Sequence, residues 1–230
     1  MDVSIIPILD DNYAYVIQSD DMVGVVDPGE AEPVIAYLEQ HNLKLDWIIN
    51  THHHGDHVDG NVALIEKYGC KVAAPDECKG DKDVILQDGE DFKFGDISFQ
   101  IFLASGHTMG HVVLFDPTYR ILFSGDTLFV MGCGRLFEGS HADMFKSMQV
   151  IKSLPPETVI YGGHEYTPDN AKFATHIMPD NADIKARAIE VMGQECTMPT
   201  LQAVEMITNP YLIAQTVEEF TKIRTAKDNF

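Results

Sequence analysis

A mixed α/β (α+β) fold, with a strand-rich main domain over residues 1–167 and a helical appendage over 168–230, is predicted by three observations in this 230-residue chain. Apolar, strand-like runs recur as far as Tyr161, and no strong one follows. Segments with helical spacing alternate with them, and three more crowd the last sixty or so residues. Four of the apolar runs end in small residues followed at once by a histidine or an aspartate.

Taken in order, "VSIIPIL" and "AYVIQ" read as strands, and "MVGVVDPG" as a strand ending in a turn. "EAEPVIAYLEQHN" has helical spacing at Val34, Ile35 and Leu38. "LDWIIN" is a short apolar run that ends at a histidine cluster. "HVDGNVALIEKYG" reads as one helix stopped by Gly69. "KVAAP", "DISFQIFLAS", "HVVLFD", "RILFSG" and "TVIYGG" are further strands. "SHADMFKSMQVIKSLPP" is a helix with Ser140 at its N-cap and a proline pair at its end. "TPDNAKFATHIM", "NADIKARAIEVMGQ" and "QTVEEFTKIRTAKDNF" complete the appendage as helices.

The composition narrows the function. A formal net charge of −20 disfavours nucleic acid and anionic membranes, which call for a basic face. No apolar run approaches the ~18 residues of a membrane span. "MDVSIIPILDDNY" has neither a basic region ahead of its apolar stretch nor an Arg- and Ser-rich character, so a cytoplasmic protein is expected. An organellar location would need a targeting segment outside this sequence. Cys70, Cys78, Cys133 and Cys196 are scattered, with no C-x-x-C pair, and read as reduced and mostly buried thiols. A monomer acting on a small molecule is expected.

The chemistry collects at the strand ends. "LDWIIN" leads into Thr51 and then His52, His53 and His54; "FQIFLAS" into Gly106 and His107; "RILFS" into Gly125 and Asp126; "TVIYG" into Gly163 and His164. Loops beyond the carboxyl ends of strands converge over a rigid sheet edge, which suits ligand binding. His52 and His54 are two apart and project from the same side of extended backbone, so they can share one ion. Asp56 and His57 open the following helix and can turn toward a second ion, while His53 should point away. Imidazole with carboxylate suits zinc, iron or manganese rather than calcium. Asp27, at the end of "VVDPG", reads either as an acceptor orienting a ligand imidazole or as a residue stabilising its own turn. His41, His141 and His176 read as surface residues.

"THHHGDH" resembles the T-H-x-H-x-D-H signature of the metallo-β-lactamase superfamily. "DDNYAYVI", "SGHTMGH", "FSGDTLF", "GCGRLFEGS", "GGHEYT" and the terminal "IRTAKDNF" are similar to glyoxalase II, the hydroxyacylglutathione hydrolases, over nearly the whole chain. The resemblance implies a four-layer αββα sandwich with a C-terminal helical appendage and two divalent metal ions, zinc first, with iron or manganese as alternatives. It implies that His52, His54 and His107 hold one metal, that Asp56, His57 and His164 hold the other, and that Asp126 bridges them. His111 then reads as packing or as a residue behind the ligands. Ser105-Gly106 stands where the family often has Pro-Gly, which removes no ligand.

The same resemblance implies attack on a carbonyl by a hydroxide bridging two ions about 3.5–4 Å apart, with Asp56 and Asp126 as the catalytic carboxylates. No Glu or Lys stands among these motifs as an obvious general acid, which favours a thioester, whose thiolate leaves as the anion (thiol pKa about 8.5), over an amide. Arg224 and Lys227 share a helix face and, by resemblance, contact the glycine carboxylate of glutathione, with Tyr166 on the glutathione backbone. Arg135 stands where many members have a substrate-contacting lysine, and Phe137 where some have a tyrosine. Cys133 reads as structural. The expected reaction is hydrolysis of S-D-lactoylglutathione to glutathione and D-lactate, a step in methylglyoxal detoxification. A persulfide dioxygenase with a single iron, or another hydrolase of the superfamily such as a lactonase, is the alternative.

Overall fold

The computed structural model describes residues 1–19 and 22–230. The chain divides into two compact units, one of Met1–Leu103 and Gly110–Tyr119, the other of Ala104–Met109 and Arg120–Phe230.

In the first unit β1 (Asp2–Ile8), β2 (Asn12–Ser19) and β3 (Met22–Val26) form an antiparallel meander. It continues in parallel through β4 (Trp47–Ile49), β5 (Lys71–Ala74) and β6 (Val84–Ile85). Parallel neighbours need crossovers; α1 (Ala31–Gln40) supplies the one before β4, and α2 (Gly55–Val58) and α3 (Asn61–Tyr68) the one before β5. Val34 and Leu38, one helical turn apart on α1, are fully buried in one cluster with Val16, Val25, Ile48 and Leu64. Burial of each such side chain stabilises the unit by roughly 1.5–3 kcal/mol. Because β3 and β4 run parallel, Asp27 and Thr51 leave the sheet at the same edge, where the Asp27 amide donates to Ile49 O (3.0 Å). β7 (Asp91–Phe94), β8 (Ile97–Leu103) and β9 (Val112–Asp116) pair in antiparallel order.

The single helix expected over "HVDGNVALIEKYG" is two helices, α2 and α3, broken at Asp59–Gly60. The Gly60 amide donates to Pro28 O at 3.0 Å, and a Cβ at Gly60 would lie 2.3 Å from that oxygen. Only glycine permits the chain to cross the Asp27–Gly29 turn so closely. Gly69 does end α3, in the left-handed conformation.

The second unit begins with β10 (Ile121–Gly125), followed by a ribbon of β11 (Leu128–Phe129) and β12 (Gly132–Cys133), α4 (His141–Lys152) and β13 (Val159–Gly162), which lies parallel to β10. Ser140 and Asp143 form a reciprocal capping box at the start of α4, and Met144, Met148 and Ile151 bury its inner face. The parallel pairing delivers Asp126 and His164 just past the same ends of two adjacent strands. The rest is helical: α5 (Thr167–Ile177), α6 (Ala182–Val191), then a two-residue strand β14 (Thr200–Leu201) antiparallel to β13, and α7 (Gln202–Thr208), α8 (Pro210–Ile213) and α9 (Val217–Asp228). Phe220, fully buried, anchors α9 against Tyr211 and Phe145. Among the described residues no helix is long and apolar enough to cross a membrane.

Candidate metal centre

The first unit gathers four of the expected ligands. His52 Nε2 and His54 Nδ1 are 3.2 Å apart, and His57 Nε2 is 3.4 Å from Asp56 Oδ2. Asp27, His52 and His57 each bring a ligand-type atom within 4.8 Å of the others. Behind them Asp27 organises the loop. Its Oδ1 accepts the Thr51 amide (2.8 Å), and its Oδ2 accepts the Thr51 hydroxyl (2.6 Å) and faces His57 Nδ1 (3.1 Å). These contacts hold Asp27 at φ 50, a strained conformation for a residue with a side chain. They also fix two ring tautomers. A carboxylate only accepts, so His57 Nδ1 carries the proton and Nε2 presents its lone pair. The Thr51 hydroxyl donates to Asp27 and therefore accepts from His52 Nδ1 (3.0 Å), which leaves His52 Nε2 as its ligand atom.

Further residues complete this cluster, and of these Asn12, Asn50 and Glu77 were not singled out from the sequence. Asn12 donates to Asp56 Oδ2 (2.9 Å), and Asn50 donates to the His57 carbonyl (3.0 Å). His53 turns to Glu77 Oε1 (3.3 Å), and Glu77 Oε2 accepts the Gly110 amide (2.6 Å). His111 is fully buried with its ring stacked on His52, centroids 4.7 Å apart. Asn12 lies inside "DDNYAYVI", one of the runs that carry the family resemblance; nothing in the sequence marked Glu77.

The second unit gathers the other three. His107 Nε2 lies 3.2 Å and His164 Nε2 3.3 Å from the same Asp126 oxygen, Oδ2. All three side chains are buried. His107 Nδ1 donates to the Arg135 carbonyl (2.7 Å), again leaving Nε2 to coordinate. Gly134 makes this approach possible, since a Cβ there would lie 1.9 Å from the Asp126 carbonyl oxygen and 3.1 Å from His107 Nδ1. The His164 ring is stacked on Tyr166 (4.6 Å, 9°), and Phe129 meets both edge-on.

The donor set fits a divalent ion. A tetrahedral shell with bonds of about 2.0–2.1 Å spaces its ligand atoms about 3.3 Å apart. The four pairs within the two clusters lie at 3.2–3.4 Å, and each defined imidazole has its other nitrogen committed to a protein oxygen. Neutral imidazoles beside carboxylates are the donors of zinc, iron and manganese sites.

A cavity of about 220 Å³ in the second unit is lined by Phe129, Cys133, Arg135, Tyr166, Arg224 and Lys227, together with Asp169 and Asn170. Arg224 is buried, its guanidinium held by the Cys133 carbonyl (Nη1, 3.1 Å) and Asp228 Oδ1 (Nη2, 2.8 Å). Lys227 Nζ donates to the Asp169 carbonyl (3.1 Å), and burial, reinforced by Arg224, holds its pKa below the ordinary lysine value. Phe137 is exposed, edge-on to His107, with the Arg135 guanidinium over its ring. Burial pushes the Cys133 thiol up to about 11 despite Arg224 beside it, so it remains a thiol at neutral pH and is a poor nucleophile.

A profile of the metallo-beta-lactamase superfamily matches residues 8–78 and 79–164, and one of the hydroxyacylglutathione hydrolase C-terminus matches 165–230. The hydroxyacylglutathione hydrolase of Pelagibacter ubique is 41% identical over 243 residues, covering 100% of both chains. That of Methylococcus capsulatus is 39% identical, covering 98% of this chain and 97% of its own. Among solved structures, ETHE1 from Myxococcus xanthus has a TM-score of 0.76 at 25% identity, with 98% of this chain and 90% of that one covered. TTHA1623, solved in a di-iron-bound form, has a TM-score of 0.66 at 26% identity, with 87% and 95% covered. The fold and its divalent-metal donor set are therefore those of the metallo-β-lactamase superfamily, and within it the chain belongs to the hydroxyacylglutathione hydrolases.

Proposed function

We propose that the chain hydrolyses S-2-hydroxyacylglutathione thioesters, S-D-lactoylglutathione among them, to glutathione and the free hydroxy acid, with two divalent ions, zinc first, per chain. The observation that carries this reading is the full-length likeness to hydroxyacylglutathione hydrolases, joined to a cationic cavity in a chain of net charge −20. On the family pattern His52, His54 and His107 serve one ion, Asp56, His57 and His164 the other, and Asp126 both. When bound, such a pair supplies acidified water at neutral pH and positive charge for the carbonyl oxygen.

The chain's own residues do the rest. Asp27 and Thr51 set the tautomers of His57 and His52, and the Arg135 carbonyl sets that of His107, so the ring nitrogens need no reorganisation. Arg224, Lys227 and Arg135 receive the anionic end of the glutathionyl group, and Tyr166 its backbone. The departing thiolate needs no proton donor, in keeping with a site that offers no evident general acid. The enzyme is read as a cytoplasmic monomer without nucleic-acid or membrane partners.

A thiol-release assay on lactoylglutathione, with a simple lactone and a β-lactam as comparators, tests the reading. The thioester should be turned over and the comparators neglected. Arg224→Ala should raise KM about 10- to 100-fold with a smaller change in kcat, the effect of losing one charge-assisted contact. An unchanged rate for Arg224→Ala at low substrate would refute its role in binding.

A further inference from the structure

The wall of the cationic cavity hangs on a buried carboxyl that takes no part in the chemistry above. Phe129 and Cys133 sit on the β11–β12 ribbon, paired Leu128 with Cys133 and Phe129 with Gly132 around a two-residue turn. The second turn residue, Met131, is buried at φ 55, a left-handed conformation that a methionine adopts only under restraint. The restraint is Glu205 of α7, fully buried, whose Oε2 accepts the Met131 amide at 2.9 Å. The same oxygen accepts Asn209 Nδ2 (3.0 Å), and Oε1 accepts the Thr200 hydroxyl (2.8 Å). Asn209, also fully buried, extends the clamp to the Phe129 and Gly132 carbonyls (3.2 and 3.0 Å).

Glu205 sits deep among neutral polar partners, and burial opposes its charge more strongly than the Arg187 cation favours it. Burying a carboxyl at such a cost for secondary structure alone is uneconomical, since a two-residue strand pair contributes little by itself. What the clamp fixes is the position of cavity atoms. Phe129 lies edge-on to Tyr166 (5.3 Å), and the Cys133 carbonyl holds Arg224. From these contacts we infer that Glu205 is a positioning residue for substrate: through Met131 and Asn209 it sets the ribbon that shapes the cavity for the glutathionyl end of the thioester. This inference rests on the reading of the cavity given under the proposed function.

The test compares kcat/KM for lactoylglutathione with that for a small lactoyl thioester lacking the glutathionyl tail, such as S-lactoyl-N-acetylcysteamine. Glu205→Ala should lower the ratio of the two about tenfold, because the buried hydrogen-bonding group that is lost supports Phe129 and Cys133 in the wall of the tail's cavity, while among the described residues the ribbon meets the metal ligands only through the edge-on contact of Phe129 with His164 (5.7 Å). Glu205→Gln should restore most of the ratio, since its amide oxygen can still accept from Met131 and Asn209 while its NH2 donates to Thr200. If Glu205→Ala does not fold, Glu205→Asp, one methylene too short to span both sides, reads out the same ratio. A merely structural carboxyl would lower both rates together, and an unchanged ratio overturns the inference. A wild-type enzyme that does not prefer the tailed substrate overturns the cavity reading itself, and the inference with it.

Discussion

Asp27 shows how much one side chain settles at this site. Its two oxygens meet the amide and hydroxyl of Thr51 and the ring of His57, and Thr51 passes the constraint on to His52. The "VVDPG" run left open whether Asp27 served its own turn or a ligand ring; the contacts place it with His57. The cysteines give a test at this scale. Cys70 and Cys133 are pushed by burial up to about 11, and Cys78 to about 12, while Cys196 is exposed. With their thiolates suppressed at neutral pH, the three buried thiols should alkylate slowly and Cys196 quickly. Counting thiols blocked by iodoacetamide at pH 7 before and after denaturation should give one fast site and three that appear only on unfolding. Rapid modification of Cys133 in the folded protein would contradict its assignment as a structural thiol.

At the scale of elements, legibility followed burial period and turn chemistry. Strands with long apolar runs, such as β2 and β9, and helices with clear caps, such as α4, were readable because their own residues demand those conformations. The four strand-end ligand positions were readable for the same reason: a small residue, glycine in three of them and Thr51 in the fourth, followed by a donor has a local meaning. The break between α2 and α3 was hidden because Pro28, the residue that requires it, lies far from Gly60 in sequence. The ribbon of β11 and β12, β14 and α7 were hidden as well. They are two to seven residues long, and the ribbon is held by side chains far along the chain, Glu205 and Asn209. α1 offers the test here, since its inner face packs into the first sheet's core. Leu38→Ala should cost about 2–5 kcal/mol in urea unfolding, the cost of a buried leucine cavity. A loss below about 1 kcal/mol would mean that the helix is not seated as described.

For the molecule as a whole, function follows from the two strand-edge clusters and the appendage together. Each unit prepares its own donors: imidazoles with one nitrogen tied to a protein oxygen and the other presented beside a carboxylate. Arg224 and Lys227 of α9 add their charges to a cavity whose other walls come from β11, β12, Arg135 and the start of α5. The superfamily signature alone leaves lactonases, β-lactamases and dioxygenases open; the match of residues 165–230 to the hydroxyacylglutathione hydrolase C-terminus is what separates this chain from them. The central claim, a pair of ions serving thioester hydrolysis, is tested most directly by restoring zinc to chelator-stripped protein while following thiol release from lactoylglutathione. Activity should be absent without metal and should rise to a plateau at two equivalents of zinc per chain. Full activity in the stripped protein, or a plateau at one equivalent with no second ion taken up, would contradict the account.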